Sequence, residues 1–533
     1  MKSFLGIELG STRIKSVLID EKGKLLASGA YDWENRFENG IWTYRLEDVR
    51  TGLRESIAML FGDYSKNNSK SEEHMPEISG AGVSAMMHGY LAFDKNGRQL
   101  AEFRTWRNTI TEEASAALTE AFDFNIPQRW SIAHLYRAVT EGEEHVKDIS
   151  FITTLAGYVH CILTGEKVIG VGDASGMFPI DSLINDYNAD MVRRFGELVS
   201  GSGVPRRLKD ILPKVLCAGE PAGFLTEDGA KLLDPAGAFL RPGIPLCPPE
   251  GDAGTGMTAT NSVAPRTGNV SAGTSVFAMI VLERELSRLY KEIDMVTTPT
   301  GKPVAMVHCN NCTSDLDAWI EVFGEAMKLS GSRPEKSRLY ESLYQAALDG
   351  DADSGGLVSV NYLSGEHTTG FHEGRPLFIR TQDSSFTLAN FVRSLLFSSM
   401  ATLKIGVDIL ADGEGIKTGR MLGHGGLFKT AVVAQKLMAG ALNTPVSVME
   451  SAGEGGAWGI ALLAAYAVCR CSGESLEDFL SNRIFADARV MTIEPDPFDV
   501  SGFETYLERY KAALDVEHAA VRTLRNRSVD INA

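Results

Sequence analysis

The sequence predicts an α/β fold that is divided into two domains. The chain has 533 residues, which is more than one hydrophobic core usually supports. Strand-like runs such as ISGAGVSAMM alternate with segments such as TEEASAALTEAF, in which apolar residues recur at helical spacing. A strand–turn–strand pattern opens the chain and returns in its second half, which indicates that the two domains are built alike.

The two hairpins are the clearest local signals. SFLGIEL, RIKSVLID and GKLLASGAYD are strand-like runs separated by the turn sequences GST and EKGK, so we predict an antiparallel meander at the start of the chain. GNVSAGTSVFAMIVL repeats the pattern, with a turn at Gly273 and Thr274. Because each hairpin tip combines glycine with hydroxyl residues, the pattern predicts a duplicated fold.

The Pro- and Gly-rich segment RPGIPLCPPEGDAGTGM precedes the second hairpin and is typical of a domain boundary. We therefore expect an N-terminal domain at residues 1–264, a C-terminal domain at 265–490 and a helical extension at 491–533. FTLANFVRSLLFSSMATLKIGVDIL and AVVAQKLMAGAL are predicted helices on either side of the turn-rich GHGGLFKT. AWGIALLAAYAVC is predicted to be a buried helix.

The composition excludes several classes of protein. With 52 basic and 69 acidic residues the net charge is −17, which disfavours nucleic acid or an anionic membrane as the main partner. Seven cysteines are few and odd in number, so we predict no disulfide framework and a reducing compartment. We find no signal peptide and no apolar run as long as a transmembrane helix, and expect a cytoplasmic protein.

The glycine-rich tips are candidate phosphate sites. A turn of Gly, Ser and Thr presents backbone N–H groups and hydroxyls, and glycine leaves room for an anion. Taken alone, either LGST or SAGTS is weak evidence for a phosphate site, and a simple tight turn is the more common structure for such a sequence. Neither matches the glycine-lysine phosphate loop or the dinucleotide fingerprint, because both of those require a helix directly after the glycines. Two such tips, one per domain, can close on one polyphosphate in the cleft between the domains.

Two carboxylates are candidates for phosphoryl transfer, which needs charge compensation and a group that receives the proton of the attacking hydroxyl. Glu8, near the end of the first strand, would hold Mg²⁺ directly or through water, or would be a solvated charge at the rim. Asp252 is followed by small residues that let another molecule approach, or it is a helix N-cap. The residues alone leave these alternatives open.

The ordered set of motifs resembles the FGGY family of carbohydrate kinases over essentially the whole chain, with the closest likeness to its xylulokinase-like branch. The motifs are GIELGST, MMHG, WRN, LTGE with GDASGM, PEGDAGTGM, NVSAGTS and GHGGLFKT. The resemblance implies two ribonuclease H-like domains, of the type found in actin and hexokinase, with an interdomain cleft that binds ATP and sugar.

The resemblance also implies roles for individual residues. Asp252 is the implied catalytic base for the sugar hydroxyl and Glu8 the implied metal ligand. Met87 and His88 match the family's ketose-binding pair, and Trp106 is expected to line the sugar site with its apolar face. The implied nucleotide-binding residues are Gly10, Ser11, Thr12 and Arg13 in the first turn, Gly273 and Thr274 in the second, and Gly425 and Gly426 facing the adenosine.

The chain departs from the family pattern at several positions. Glu8 replaces the usual aspartate, Asn108 and Ile110 replace acidic and basic residues after the sugar-site tryptophan, and Gly440 replaces an acidic residue. We interpret these changes as divergence in substrate or branch. The motif HCNNC (His308, Cys309 and Cys312) has metal-ligand or redox spacing, but no second pair completes a zinc site.

The expected activity is ATP- and Mg²⁺-dependent phosphorylation of the terminal primary hydroxyl of a ketose, with a ketopentose such as xylulose as the first choice. The alternatives are L-ribulose, L-xylulose, L-fuculose or a ketohexose as substrate, or a sugar-responsive ATP-binding protein that has lost turnover. An ATP-driven chaperone or filament protein on the same fold is a third class, but the chain has no added segment for such a role. A homodimer is common in the family.

Overall fold

The computed structural model describes residues 2–67, 77–202, 207–430, 432–449 and 455–524. Its internal contacts divide the chain into two compact units. Unit 1 comprises Met1–Pro265, Val281–Val304 and Ser451–Ala488, and unit 2 comprises Arg266–Ile280, Ala305–Glu450 and Arg489–Ala533. Residues 525–533 of the predicted C-terminal extension lie outside the described part of the chain.

Strands and helices alternate along the chain. In chain order the strands are β1 (Ser3–Leu9), β2 (Arg13–Asp20), β3 (Leu25–Asp32), β4 (Arg36–Glu38), β5 (Ile41–Thr43), β6 (Ile78–Ala85), β7 (Leu91–Phe93), β8 (Phe151–Thr153), β9 (Val168–Gly170), β10 (Ile180–Asp181), β11 (Asp186–Tyr187), β12 (Lys214–Leu216), β13 (Glu250–Gly251), β14 (Thr267–Ala272), β15 (Val276–Val281), β16 (Asp294–Thr297), β17 (Pro303–Cys309), β18 (Val358–Val360), β19 (Leu377–Ile379), β20 (Arg420–His424), β21 (Val446–Met449) and β22 (Val490–Ile493).

The helices are α1 (Leu46–Asn67), α2 (Glu112–Phe122), α3 (Ser131–Thr140), α4 (Leu155–Thr164), α5 (Val171–Ala174), α6 (Ala189–Leu198), α7 (Leu208–Ile211), α8 (Glu227–Leu233), α9 (Asp252–Ala259), α10 (Ser314–Leu329), α11 (Lys336–Ala347), α12 (Leu388–Glu414), α13 (Val433–Leu442), α14 (Gly455–Cys469), α15 (Leu476–Phe479) and α16 (Pro497–Thr523).

Unit 1 is built on a five-stranded sheet in the order β13-β6-β1-β2-β3. β1, β2 and β3 form the predicted antiparallel meander, and β6 and β13 continue the sheet with parallel pairing. The buried residues of α1 recur at helical spacing, as at Val49, Leu53 and Ile57, so one face of this helix packs on the sheet. Gly29 in β3 allows the close approach, because a Cβ there would overlap the backbone of Ser56.

Helix α14, late in the sequence, covers β1 and β6 of unit 1. The approach depends on glycines in the strands: a Cβ on Gly6 would overlap the carbonyl oxygen of Ala457, and one on Gly82 would lie 2.7 Å from Cγ1 of Ile460. The prediction that this segment is a buried helix is confirmed. The predicted domains were continuous segments, whereas the contacts assign 281–304 and 451–488 to unit 1.

Unit 2 contains the strand order β17-β15-β14-β20-β21-β22. β14 and β15 are the predicted second hairpin, β20 and β21 pair in parallel beyond β14, and β22 is antiparallel to β21. From the hairpin outwards, the order β21-β20-β14-β15-β17 repeats the order β13-β6-β1-β2-β3 of unit 1. The prediction of a duplicated fold is therefore confirmed by the strand topology.

Helix α12 is the largest element in the core of unit 2. It begins after Thr387, whose side chain accepts the N–H of Asn390 at 3.2 Å, and ends at the left-handed Gly415. The expectation that no segment is long and apolar enough to cross a membrane was wrong. Among the described residues α12 is long enough and apolar enough, judged by length and composition alone. In the apolar 18-residue stretch of α12, 67% is buried inside the protein, as is typical of a core helix.

Candidate active site

Glu8 lies in β1 beside the start of α14. Its Oε2 accepts the N–H of Ala457 at 3.0 Å, and a Cβ on Gly456 would overlap its Oε1. Burial raises the pKa of Glu8 to about 7, and the negative charge of Asp252 adds to this effect. A carboxylate in such surroundings lacks full solvation, so the alternative that Glu8 is a solvated rim charge does not fit.

Asp252 is the first residue of α9 and follows directly on β13. Its Oδ1 accepts the N–H of Met87 at 3.0 Å. The N-cap of α9 is Gly251, so the interpretation of Asp252 as the N-cap is wrong. The side chain is accessible to solvent, yet the surrounding protein desolvates it enough to raise its pKa. Asp252 is therefore a fixed, accessible carboxylate next to Met87.

Met87 and His88 follow β6 and are both buried. His88 has a positive φ of 69°, an uncommon conformation for a residue with a side chain. Its Nδ1 lies 3.2 Å from the carbonyl oxygen of Gly176, and its ring is nearly parallel to that of Trp130, with 6.4 Å between ring centroids. The predicted ketose-binding pair and the predicted base are thus brought together in unit 1.

The loop that contains Trp106 is held in place by Asn108. Asn108 is 2% exposed and pairs with the backbone of Trp42, donating to its carbonyl and accepting its N–H, both at 2.8 Å. The departure from the family pattern at Asn108 therefore has a structural use in this chain. Trp106 is 42% exposed, and the contacts of the described residues do not link its side chain to Met87 or His88.

Two buried acids beside Asp252 were missed as site residues, although the motifs GDASGM and PEGDAGTGM contain them. Asp173 accepts a hydrogen bond from the Thr154 hydroxyl at 2.6 Å, and burial together with the charge of Asp252 raises its pKa to about 7. Glu250 accepts backbone N–H groups of Gly172 and Asp173, and burial together with Asp173 raises its pKa to about 8. An acid directly next to a glycine in each motif was the available signal.

Arg129 supplies a positive charge on the same side of unit 1. It forms an ion pair with Asp294, which also accepts a hydrogen bond from Nδ2 of Asn125 at 2.9 Å. Its charge lowers the pKa of Asp252, against the effect of burial. Sequence reasoning missed this group because Asp294 lies far along the chain, in the segment 281–304 that joins unit 1.

The tip of the first hairpin turns its carbonyl groups toward two aromatic residues. Trp33 donates from Nε1 to the oxygen of Gly10 at 2.7 Å and from its backbone N–H to the oxygen of Thr12 at 3.1 Å. The hydroxyl of Tyr44 donates to the oxygen of Ser11 at 2.5 Å. Trp33 and Tyr44 stack with 4.2 Å between ring centroids, and burial raises the pKa of Tyr44 to about 12. We call these two residues the aromatic brace.

The brace leaves donors available on the tip. Gly10 N–H is taken by the oxygen of Arg13 at 2.9 Å, whereas within the described part of the chain no acceptor is recorded for the N–H groups of Ser11 and Thr12. Both residues are exposed. Arg13 is exposed and paired with Asp32 at 2.8 Å. This geometry fits the predicted phosphate turn, since N–H donors on a tight turn bind anions.

The tip of the second hairpin has its carbonyl groups satisfied by main chain. The oxygen of Gly273 accepts the N–H of Thr313, and the oxygen of Thr274 accepts the N–H of Cys312, each at 3.0 Å. The loop 309–313 that supplies these donors contains the motif HCNNC. Among the described residues no group of three or more His, Cys, Asp or Glu side chains is arranged to hold a metal ion.

Gly425 lies against the base of the second tip. It has a φ of 97°, and a Cβ on it would lie 2.5 Å from the carbonyl oxygen of Ala272. Only glycine fits this conformation and this contact. The predicted adenosine segment at Gly425 and Gly426 and the predicted phosphate turn at Gly273 are therefore neighbours within unit 2.

Gly440 also has a packing reason. A Cβ there would lie 3.0 Å from the Cβ of Asp499 in α16, so this position has no room for an acidic side chain. Asp499 pairs with the buried Arg393 at 2.8 Å. The carboxylate missing at Gly440 is thus present in the same neighbourhood, but it comes from α16.

A single Mg²⁺ is compatible with the acids in unit 1. Mg²⁺ in phosphoryl-transfer enzymes is usually held by one or two carboxylates together with substrate phosphates and water. Glu8 is an incompletely solvated carboxylate, and Asp252 is close enough to affect its ionisation. A cation would stabilise the charged form of Glu8.

Comparison with known proteins agrees with this geometry. Residues 3–252 match the family model described as the N-terminal domain of the FGGY family of carbohydrate kinases, and residues 268–468 match the model of its C-terminal domain. A xylulose kinase of Haemophilus influenzae is 21% identical over 524 residues, which cover 95% of this chain and 98% of that protein.

Solved structures show the fold. A xylulose kinase from Rhodospirillum rubrum has a TM-score of 0.77 at 18% identity, covering 98% of this chain and 100% of that one. A gluconate kinase from Lactobacillus acidophilus has a TM-score of 0.77 at 15% identity, covering 98% and 99%. The fold is that of sugar kinases with two ribonuclease H-like domains.

Proposed function

Because the chain belongs to the FGGY family of carbohydrate kinases, we propose that it transfers a phosphoryl group from ATP to the terminal primary hydroxyl of a ketose, with a ketopentose such as xylulose as the substrate. The similarity to xylulose kinases along nearly the whole chain supports this choice. The observation that carries the proposal is the fixed, accessible carboxylate of Asp252, held by the backbone of Met87 beside the buried His88.

In this proposal Asp252 is the general base. It accepts the proton of the attacking hydroxyl, a contribution of about 10²–10⁴ in rate. Since Gly176 O can only accept, Nδ1 of His88 carries a proton, and the His88 ring is proposed to hydrogen-bond a sugar hydroxyl. Met87 and Trp106 are proposed to contact the carbon chain of the sugar.

The nucleotide is proposed to bind through the two hairpin tips and the glycine segment of unit 2. The N–H groups of Ser11 and Thr12 and the N–H of Thr274 are proposed phosphate donors. The N–H of Gly273 is taken by the oxygen of Ser275 at 2.9 Å, so the proposed role of Gly273 is to leave room for the phosphate. Arg13 adds a positive charge to the first tip. The proposed adenosine-facing residues are Gly425 and Gly426.

Glu8 is the residue that would hold Mg²⁺. When bound, this ion would neutralise charge that develops on the phosphate oxygens. Compared with aspartate, Glu8 extends one methylene further, and the N–H of Ala457 fixes one of its oxygens. Location in the cytoplasm and a homodimeric state stay predictions.

The test is Mg²⁺–ATP turnover, followed as ADP release, with D- and L-ketopentoses, ketohexoses, deoxy-ketoses, gluconate and glycerol. We expect one ketose to raise turnover well above the rate without sugar. Asp252→Asn should lower that turnover by about 10²-fold or more. Asp20→Asn is the matched control, because Asp20 also accepts backbone N–H groups but lies in the β2–β3 turn.

Three outcomes would count against the proposal. If gluconate or glycerol is the preferred acceptor, the assignment of a ketose is wrong. If ATP and sugar bind but no compound in the panel raises ADP release, the chain is a binding protein without turnover. Normal turnover in a folded Asp252→Asn variant would remove Asp252 as the base.

A further inference from the structure

Glu250 is a buried carboxylate to which the proposed function gives no task. It lies in β13, two residues before Asp252, and is 1% exposed. Three glycines surround its carboxylate: a Cβ on Gly170 or Gly172 would overlap it, and one on Gly254 would lie 3.1 Å from Oε2. The local backbone thus leaves a space that this carboxylate fills.

The carboxylate of Glu250 holds the segment 170–176 through main-chain hydrogen bonds. Oε1 accepts the N–H of Gly172 at 3.3 Å, and Oε2 accepts the N–H of Asp173 at 3.0 Å. Both donors are buried, and a buried N–H without an acceptor is costly. These bonds therefore determine where the segment lies relative to β13.

The far end of the same segment orients His88. The carbonyl oxygen of Gly176 lies 3.2 Å from Nδ1 of His88, and a Cβ on Gly176 would lie 2.6 Å from that nitrogen. Gly251, between Glu250 and Asp252, leaves room for the side chain of Met87, which a Cβ there would overlap. Glu250 is thus linked through short stretches of backbone to His88 on one side and to Asp252 on the other, the two residues that are proposed to act on the sugar.

We infer that Glu250 is a positioning residue: by holding the segment 170–176 it fixes the tautomer and the orientation of His88 relative to Asp252, and so sets the affinity for the ketose. This inference rests on the proposed function, in which His88 and Asp252 act on the sugar. Glu250 itself contacts no substrate, and its effect passes through the carbonyl group of Gly176.

The kinetic test uses two variants that disturb the same contact from opposite sides. Glu250→Gln keeps the size but puts an NH₂ group against a backbone N–H, and Gly172→Ala adds a methyl group where the carboxylate lies. Each should raise the KM for the ketose about tenfold or more, because a buried hydrogen bond to the segment 170–176 is lost or its acceptor is displaced. The KM for ATP should change less than about twofold.

Asp234→Asn is the matched control. Asp234 is also a buried carboxylate in unit 1 that accepts two adjacent backbone N–H groups, from Phe239 at 2.6 Å and from Leu240 at 3.0 Å. It lies after α8 and outside every motif assigned to the site. The KM for the ketose should be unchanged in Asp234→Asn. If Asp234→Asn raises this KM as much as Glu250→Gln does, the loss of any buried carboxylate that accepts backbone N–H groups has this effect, and Glu250 has no special role.

A second readout does not depend on turnover. The chain has 10 histidines, and ¹⁵N-histidine labelling with His88→Asn as the assignment variant identifies the ring signals of His88. The wild-type ring should be in the Nδ1–H tautomer, and both Glu250→Gln and Gly172→Ala should shift it toward a mixture. If Glu250→Gln does not fold, the ring signals of His88 in Gly172→Ala decide whether Glu250 positions His88.

The outcomes separate the two proposals. Unchanged ring signals in the folded variants would overturn the role of Glu250, whatever the kinetics show. If the wild type has no ketose-dependent turnover, the proposed function fails, and the ring signals still decide whether Glu250 positions His88.

Discussion

The two hairpin tips occupy corresponding places in the two sheets and are held in different ways. In unit 1 the carbonyl groups of the tip accept hydrogen bonds from the aromatic brace, Trp33 and Tyr44, and only one of the three donors is a backbone N–H. In unit 2 the carbonyl groups of Gly273 and Thr274 accept two backbone N–H groups from the loop 309–313. The strand before the first tip carries Glu8, whereas the corresponding position of β14 is Ser271.

The donors differ between the two tips, but in both tips the carbonyl groups accept hydrogen bonds from the protein. The N–H groups of Gly10 and Gly273 are taken within their own hairpins. When the carbonyl groups of a tip are bonded on one side, the N–H groups after that first glycine are left for the other side, and any donor can serve this purpose. A side-chain brace can be removed by one substitution. A main-chain brace can only be disturbed through the residue that holds its loop, which is Asn311 in unit 2.

The largest expected effect comes from the acid that only the first hairpin has. Glu8→Gln should lower ketose-dependent turnover by about 10²-fold or more, because the carboxylate proposed to hold Mg²⁺ is lost, and with it the cation that would neutralise charge on the phosphate. Ser271→Ala, the matched change in the second hairpin, should alter turnover less than about threefold. Steady-state rates at saturating ATP check both values, and equal losses would show that the two strand ends contribute alike.

The next effect concerns the loop behind the second tip. Asn311 is 6% exposed, and its Oδ1 accepts the N–H groups of Leu363 and Ser364, each at 3.0 Å. Asn311→Ala leaves these donors without an acceptor, so we expect about 2–3 kcal/mol of lost stability and weaker binding of ADP. Thermal unfolding and calorimetry measure the two quantities.

Asn310→Ala is the control for this loop. Asn310 is exposed, and within the described residues its side chain makes one hydrogen bond, to the oxygen of Gly365 at 2.8 Å. Its loss should lower stability by about 0.5 kcal/mol or less. A similar loss in both variants would remove Asn311 as the residue that holds the loop.

Removing the aromatic brace should have a smaller effect on the first tip. Tyr44→Phe keeps the ring stack and deletes the donor to Ser11, so ADP should bind about threefold to tenfold more weakly, the equivalent of one hydrogen bond. Tyr158→Phe deletes a buried hydroxyl elsewhere in unit 1 and should leave the affinity unchanged. Calorimetric affinities that do not differ between the two variants would contradict the role of the brace.

The smallest effect is on stability against pH. Burial raises the pKa of Glu8 from its ordinary value of 4.5 to about 7, so the stability that its neutral form provides is complete below pH 4.5 and is lost as the pH rises through 7. Glu8→Gln should therefore gain a few degrees in unfolding temperature relative to wild type between pH 5 and 8. Asp173 and Glu250 are present in both wild type and Glu8→Gln, so the difference in unfolding temperature between the two proteins reports on Glu8. The difference between Ser271→Ala and wild type should not change with pH.

The sequence was sufficient for the hairpins and for the fold, because strand alternation and turn residues are local signals. It was insufficient for the residues that hold the tips. Trp33 and Tyr44 lie 23 and 33 residues from the carbonyl groups they bond, and no local pattern relates them. Asp173 and Glu250 stood within recognised motifs, but Asp173 accepts from the hydroxyl of Thr154, which lies outside them, and Glu250 accepts backbone N–H groups, which carry no sequence identity.

Departures from a family pattern were the least readable from sequence. Asn108 replaces an acidic residue, yet its amide closes a loop on Trp42. Gly440 has lost an acid whose space is taken by Asp499 from α16. In both cases the reason lies in a neighbour that is distant along the chain, so the substituted position alone could not explain the change.

Helix α14 has a consequence for how the protein is made. The partner of Glu8 is the N–H of Ala457, 449 residues further along the chain, and the same helix covers the central strand β1. During synthesis on the ribosome the first sheet must therefore wait, with one face uncovered, until nearly the whole polypeptide has emerged. Such long-range pairings slow folding and expose apolar surface to aggregation, so nascent chains of this protein should depend strongly on chaperones.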